Sequence, residues 1–214
     1  MDREHYTRIK TYHEFTIKSA DVVQAAEDHG KSIMDRIMPM LLKVSSPSAT
    51  CSAFLVNKEP LLYASTAHGI PAGTTTLQAV DMAGTAHNVL VKHVQPALDL
   101  AVLEVAPHDN LQNIQTVSFA QTSTGSTVYL FGFGGNDLDV HFTSGSITSV
   151  RPGIYSTSAY ADNGFSGGPV VNIAGQIVGV VQRGDEGVTN KQTLLISADR
   201  LLTFLQMSGV PTSS

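Results

Sequence analysis

Ser166 stands among three glycines, Gly164, Gly167 and Gly168, at the head of an apolar run in DNGFSGGPVVNIAGQIVGVV, residues 162–181. Glycines crowded around one polar residue mark a backbone that bends sharply or lets another group come close. If substrate is that group, the hydroxyl needs a base to take its proton. The base in turn needs a carboxylate to fix its tautomer and stabilise its cation. The chain has eight histidines, so a match by residue type alone says little. His68 is set apart because the small residues of YASTAHGI deliver it at the end of an apolar strand. Asp99, in PALDLAVLEV, sits at the mouth of another apolar strand, where a carboxylate without a hydrogen-bonding partner is expensive. A nucleophile, a base and an orienting acid are the parts of acyl transfer.

The elements that must bring these residues together read mostly as strands. From residue 40 onward, MLLKVSS, SAFLV, LLYAS, TLQAV, HNVLVKHV, LAVLEV, STVYLFG, HFTSGSITSV, GIYSTSA, GPVVNI, QIVGVVQ and QTLLIS are short and rich in β-branched and aromatic residues. Gly, Pro, Asn or Asp separate them. Such close spacing, with hardly a helix between, predicts an all-β chain of antiparallel barrels or a sandwich. Residues 1–44 differ, holding seven of the thirteen Lys and Arg and seven of the eighteen Asp and Glu. There SADVVQAAEDHG offers Ser19 or Asp21 as an N-cap and Gly30 as a stop, while Ile33, Met34, Ile37, Met38 and Leu41 keep helical spacing until Pro39 disturbs it. The expectation is an N-terminal helical extension over 1–39. A last helix fits SADRLLTFLQMSG, with Ser197 or Asp199 as cap, Leu201, Leu202 and Leu205 facing inward, and Gly209 and Pro211 ending it.

Composition excludes several functions. A net charge of −5 provides no basic face for nucleic acid. No run of eighteen apolar residues predicts a membrane span, and the charged opening MDREHYTRIK has no apolar segment of a secretory leader behind it. Cys51 is the single cysteine, so no intrachain disulfide can form, and a reducing, cytoplasmic setting is the expectation.

Other candidate sites carry less. His87 and His93, six apart on one strand, would share a face but stand roughly 20 Å apart, too far to share an ion, so the expectation is surface histidines and no metal. FGFGGN has the glycines of a phosphate loop without the following Lys and helix, and predicts a turn. Cys51 reads as a small apolar residue.

The motifs GFSGGPVV, STAHG and LDLAVLEV resemble the three catalytic motifs of the chymotrypsin/trypsin-like serine proteases, in the order His, Asp, Ser. CSAFLVNKEPLLYASTAHGI, VYLFGFGGNDLDVHFTSGSITSV and SGGPVVNIAGQIVGVV are similar to the high-temperature-requirement (HtrA/Deg-like) type, with the expectation of no PDZ domain. The resemblance runs from about residue 40 to 207. It implies two six-stranded antiparallel β-barrels, about 40–112 and about 113–198, then a C-terminal helix over 199–208 and a site in the cleft between the barrels. It also implies a serine endopeptidase without a cofactor: Ser166 attacks, His68 moves the proton, Asp99 orients His68, and the N–H groups of Gly164 and Ser166 form the oxyanion hole. Gln182, Arg183 and Gly184 would lie along the substrate cleft, with Tyr160 and Ala161 near the specificity pocket, and Gly167 and Gly168 would let the turn pass close to the other barrel. Partners are then a protein or peptide substrate and an activating protein or second copy of the chain. The alternative is a catalytically silent protease-like fold that binds proteins. Three departures stand out. Phe165 replaces the acid by which digestive relatives capture a new N-terminus. Gly69 replaces the cysteine that follows the histidine. The chain ends soon after its last helix.

Overall fold

In a computed structural model, the described residues are 28–47, 49–107, 114, 117–134, 139–184 and 192–211. Residues from Arg36 to the C-terminus form one compact unit; Met1–Asp35 cluster separately, and those of them described, 28–35, are helical. The first helix, α1, covers 28–37 among the described residues, with Gly30 inside it rather than at its end. A mid-helix glycine costs only about 1 kcal/mol, too little to break a helix by itself. Pro39 is the effective stop: α1 gives way to a 3₁₀ turn, Met38–Met40, and Leu41, expected on the helical stripe, begins the first strand. The candidate caps Ser19 and Asp21 lie outside the described residues.

Two closed six-stranded antiparallel barrels follow. The first contains β1 (Leu41–Ser45), β2 (Thr50–Lys58), β3 (Leu61–Ser65), β4 (Thr76–Asp81), β5 (Ala86–Gln95) and β6 (Leu100–Val105). The second contains β7 (Thr127–Phe133), β8 (Val140–Arg151), β9 (Ile154–Thr157), β10 (Pro169–Asn172), β11 (Ile177–Gly184) and β12 (Thr193–Ser197). Every run singled out in the sequence is one of these strands. Closure leaves no free edge. It also lets near-continuous apolar runs such as Leu100–Leu103 and Val178–Val181 be buried, since the barrel interior takes one face and packing against neighbouring elements takes part of the other.

Helix α2 (Ala198–Met207) closes the unit, with Ser197 Oγ accepting the Arg200 N–H at 3.3 Å as N-cap. Leu201 and Leu205 are buried as expected, whereas Leu202 is only half-buried and Phe204 takes the inward position. The inward stripe is therefore 201, 204 and 205, the i, i+3, i+4 set of one helical face.

The histidine pair on β5 also differs from expectation. His87 is buried, its Nε2 3.1 Å from Asp81 Oδ2, while His93 is exposed. A register shift between Val91 and His93 inserts one extra residue, and a single bulge reverses which face later side chains take. No cluster able to hold a metal ion exists among the described residues, and no helix among them is long and apolar enough to cross a membrane.

Candidate active site

Barrel one supplies an imidazole already oriented by a carboxylate. β3 ends at Ser65, and His68 follows it with a side chain about half exposed. Asp99 immediately precedes β6, at the end of a turn in which the Asp99 N–H donates to Pro96 O at 3.1 Å. It is the one non-glycine among the described residues with positive φ, 55°, a conformation that Asp tolerates better than most side chains. That turn aims the carboxylate at His68. The His68 backbone N–H donates to Oδ1 at 2.9 Å, and Nδ1 lies 3.0 Å from Oδ1 and 2.9 Å from Oδ2. An ionised carboxylate can only accept, so Nδ1 carries the proton and the lone pair of the neutral ring is left on Nε2. Gln182 Nε2 donates to Asp99 Oδ2 at 3.2 Å. Burial pushes the Asp99 carboxyl up, but the hydrogen bonds and charge of His68 and the amide of Gln182 outweigh it and hold the group below the ordinary carboxylate value.

Barrel two supplies backbone. Ser166 lies in the turn before β10, where the Phe165 N–H returns to Asp162 O at 3.1 Å and the Gly168 N–H to Phe165 O at 2.8 Å. Gly164 at φ 98° and Gly167 at φ 85° occupy conformations that L side chains rarely adopt. The N–H groups of Gly164 and Ser166 make no hydrogen bond among the described residues, and both residues are half-buried. Two unpaired donors, two residues apart and beside a hydroxyl, form an arrangement that can receive an oxyanion. The Ser166 hydroxyl donates to Gln182 O at 3.0 Å, and no hydrogen bond joins it to His68.

Phe165 is buried in the core of barrel two. A Cβ on Gly132 of β7 would stand 2.7 Å from Phe165 Cα and 2.8 Å from its Cγ, so that glycine makes the room. Where an acid was missing, the loop is anchored by an apolar ring. The two glycines after Ser166 divide their roles differently from expectation. A Cβ on Gly167 would overlap Ser52 O of barrel one, but one on Gly168 would overlap Phe131 O of its own barrel. Gly167 alone makes the close approach between barrels. Gly69 stands against Cys51, since a Cβ there would lie 2.8 Å from Cys51 Sγ. The thiol is buried beside Ser65 Oγ at 3.6 Å, and burial pushes its pKa up, as befits a packing residue.

The residues expected along the cleft are brought together. Ala161 O lies 3.3 Å from where a Cβ on Gly184 would stand, so the two segments run side by side. Arg183 and Gly184 are exposed and Tyr160 is 54% exposed. Ala161, by contrast, belongs to the buried core, so its side chain lines no open cleft. A cavity of about 290 Å³ opens on the barrel-one side, lined by His68, Asp99, Ile70, Pro71, Val94 and Pro96 among others. Two contributions were not foreseen: the Gln182 side chain on Asp99, and Ser52 of β2, whose Oγ donates to Gly164 O at 2.7 Å. Gln182 lies at the register shift between Val181 and Arg183, which frees its carbonyl for Ser166. A bulge of this kind leaves no mark in residue types.

The trypsin-like peptidase domain model matches residues 51–180. Among curated proteins, Serine protease HTRA4 of Mus musculus is 25% identical over 172 residues, 75% of this chain and 34% of the relative. Serine protease HTR4 of Bos taurus is 25% identical over 171 residues, 74% of this chain and again 34% of the relative. The chain thus spans about a third of the length of these relatives. Among solved structures, the Rv3671c protease of M. tuberculosis, described as an inactive form, superposes with a TM-score of 0.70 at 21% identity, covering 83% of this chain and 93% of that one. The serine endoprotease from Yersinia pestis gives 0.72 at 19%, covering 83% and 65%. At these identities the structures share the two-barrel fold.

Proposed function

The chain belongs to the trypsin-like peptidase domain family, and we propose that it is a serine endopeptidase acting through an acyl-enzyme on Ser166. The observation that carries this reading is the pairing of an Asp99-oriented His68 with a serine whose own N–H and that of Gly164 are both unpaired among the described residues. In the reaction, Ser166 Oγ attacks the scissile carbonyl carbon and its proton passes to His68 Nε2. The new oxyanion meets the N–H groups of Gly164 and Ser166, and the imidazolium, stabilised by Asp99, gives the proton to the leaving amine. Water repeats the cycle on the ester and releases the acid.

Substrates are proteins or peptides. Cleavage follows small or medium apolar residues: Tyr160 stands six before the nucleophile, where a residue choosing basic side chains would have to be anionic, and the cavity beside His68 is lined by Ile70, Pro71 and Val94. Control by a partner protein or a second copy belongs to the same proposal. Its support is the resting hydroxyl, which is held on Gln182 O and must swing to His68 before it can react. A chain in which the competent form is a minor population shows activity reduced by that fraction, and an activator restores it.

The test is turnover of a peptide library and covalent labelling by a fluorophosphonate, for the wild type and Ser166→Ala, alone and with added partner. Labelling and cleavage that disappear in Ser166→Ala are expected. A wild type that neither labels nor cleaves under any condition leaves the silent binding module as the better reading.

A further inference from the structure

Ser52 grips the nucleophile loop from the opposite barrel. It is fully buried in β2, where it faces Lys43 of β1 in register. Its N–H donates to Ser166 O at 2.8 Å and its hydroxyl to Gly164 O at 2.7 Å. The same hydroxyl accepts the Phe133 N–H at the end of β7 at 2.9 Å, and the Ser52 carbonyl accepts Ser65 Oγ at 2.7 Å. A serine hydroxyl turns freely until its partners fix it. With Phe133 occupying it as acceptor, its proton is left to Gly164 O.

The geometry then follows from peptide planarity. Holding Gly164 O fixes the plane that carries the Phe165 N–H, and holding Ser166 O fixes the plane that carries the Gly167 N–H. Between these two anchored planes lies the plane that carries the Ser166 N–H, and next to them the Gly164 N–H. The buried Phe165 ring fixes the same stretch from the barrel-two side. Such donors stabilise an oxyanion to the extent that they are already in place when charge develops. We infer that Ser52 is a positioning residue for the oxyanion site: its hydroxyl holds the Gly164 end of the Gly164–Ser166 backbone, its N–H holds the Ser166 end, and it touches no substrate itself. This rests on the peptidase reading above and assigns to the Ser52 side chain the Gly164 end of its oxyanion half.

The experiment compares Ser52→Ala with the wild type and with Leu205→Ala, a core variant in α2, outside the loop, that serves as the control for lost stability. Two readouts are taken on the full chain: steady-state turnover of one apolar peptide well below each variant's Tm, and amide hydrogen exchange of the fragment spanning 163–168. Loss of a positioned donor outright costs about 10²–10³ in kcat. Loss of the residue that positions it is expected to lower kcat roughly ten- to a hundredfold with KM within about twofold. Exchange at 163–168 should speed up about tenfold in Ser52→Ala and stay at the wild-type rate in Leu205→Ala. Equal kcat and unchanged exchange in Ser52→Ala would overturn the inference, as would an equal kcat loss in Leu205→Ala. A wild type without turnover removes the peptidase reading, and the exchange comparison still decides whether Ser52 holds the loop.

Discussion

The two barrels have the same strand number and the same closure, yet they contribute different kinds of chemistry. Barrel one offers side chains, His68 and Asp99, joined by three short contacts and held at strand ends. Barrel two offers mostly backbone: a turn of glycines, two N–H groups unpaired among the described residues and a hydroxyl that rests on a carbonyl. The first half is set by hydrogen bonds to a charge, which are strong and short-ranged. The second is set by where the chain can pass, which depends on missing Cβ atoms and on a grip from across the cleft. One half is thus sensitive to charge and the other to volume, and substitutions of the two kinds separate them.

The largest effect is expected at Ser166, where Ser166→Ala should bring peptide turnover to background. Asp99→Asn keeps shape but gives His68 a partner that can donate, favouring the wrong tautomer, and should lower kcat by about 10⁴. Far-UV and near-UV spectra should stay those of the wild type. A retained peptidase rate in either variant breaks the assignment of chemistry to both barrels.

Next comes volume. Gly167→Ala adds one methyl where φ is 85° and where that methyl would meet Ser52 O and Ser65 Oγ. Both ends of the contact are backbone or buried, so relief must come from moving the turn away from barrel one. Turnover should fall at least about a hundredfold and Tm should drop by several degrees, on the order of what strained backbone costs. Activity assays and a thermal melt check this. An unperturbed Gly167→Ala would mean that close approach of the barrels is not what positions Ser166.

This division also explains what the sequence discloses. All twelve strands were readable because β-branched runs punctuated by Gly, Pro, Asn and Asp are local signals. His68, Asp99 and Ser166 stood out as polar residues in apolar or glycine-rich settings, against a pattern that left them no structural reason. Ser52 and the Gln182 side chain were invisible for the opposite reason. A serine in a strand and a glutamine near a strand end are ordinary, and their partners are 112 and 83 residues away in sequence. Gly30 and Leu202 were misjudged because a helix tolerates one glycine and because the packing partner, not periodicity alone, decides which of 201–205 turns inward. His87 and His93 do not share the expected face because the bulge between them is written in register, not in residue type.

A smaller expected effect concerns Gln182, which touches both halves. Its carbonyl holds the Ser166 hydroxyl and its amide holds Asp99. Gln182→Leu keeps the carbonyl and removes the amide, so it tests the charge half alone. A hydrogen bond to a charged group contributes about 1.5–3 kcal/mol. Asp99 keeps its bonds to His68, so a loss near the bottom of that range is expected, about tenfold in kcat with KM little changed. An unchanged kcat would assign Gln182 to the backbone half only.

The smallest effect is in stability against pH, and its sign follows from Asp99. Burial raises this carboxyl, but His68 and Gln182 bring it below its ordinary value in the folded chain. Between the folded and unfolded values the unfolded chain binds more protons, so stability rises with pH there. The contribution is fully present above the unfolded carboxyl value, about 3.9, and is lost as pH falls through the lower folded value. Asp99→Asn has no such group, so the difference in Tm between wild type and Asp99→Asn should be constant from about pH 7 to pH 5 and shrink below about pH 4. Gln182→Leu removes one of the influences that lower the folded value, so its gap to Asp99→Asn should be smaller at pH 6, should begin to close at the same pH as that of the wild type, and should finish closing at a higher pH. Thermal melts of the three proteins across pH 2–7 measure both gaps. A gap that widens as the solution is acidified has the wrong sign for a carboxylate held ionised by His68 and Gln182. It would mean that burial dominates at Asp99 and that the oriented base of barrel one is not what its geometry indicates.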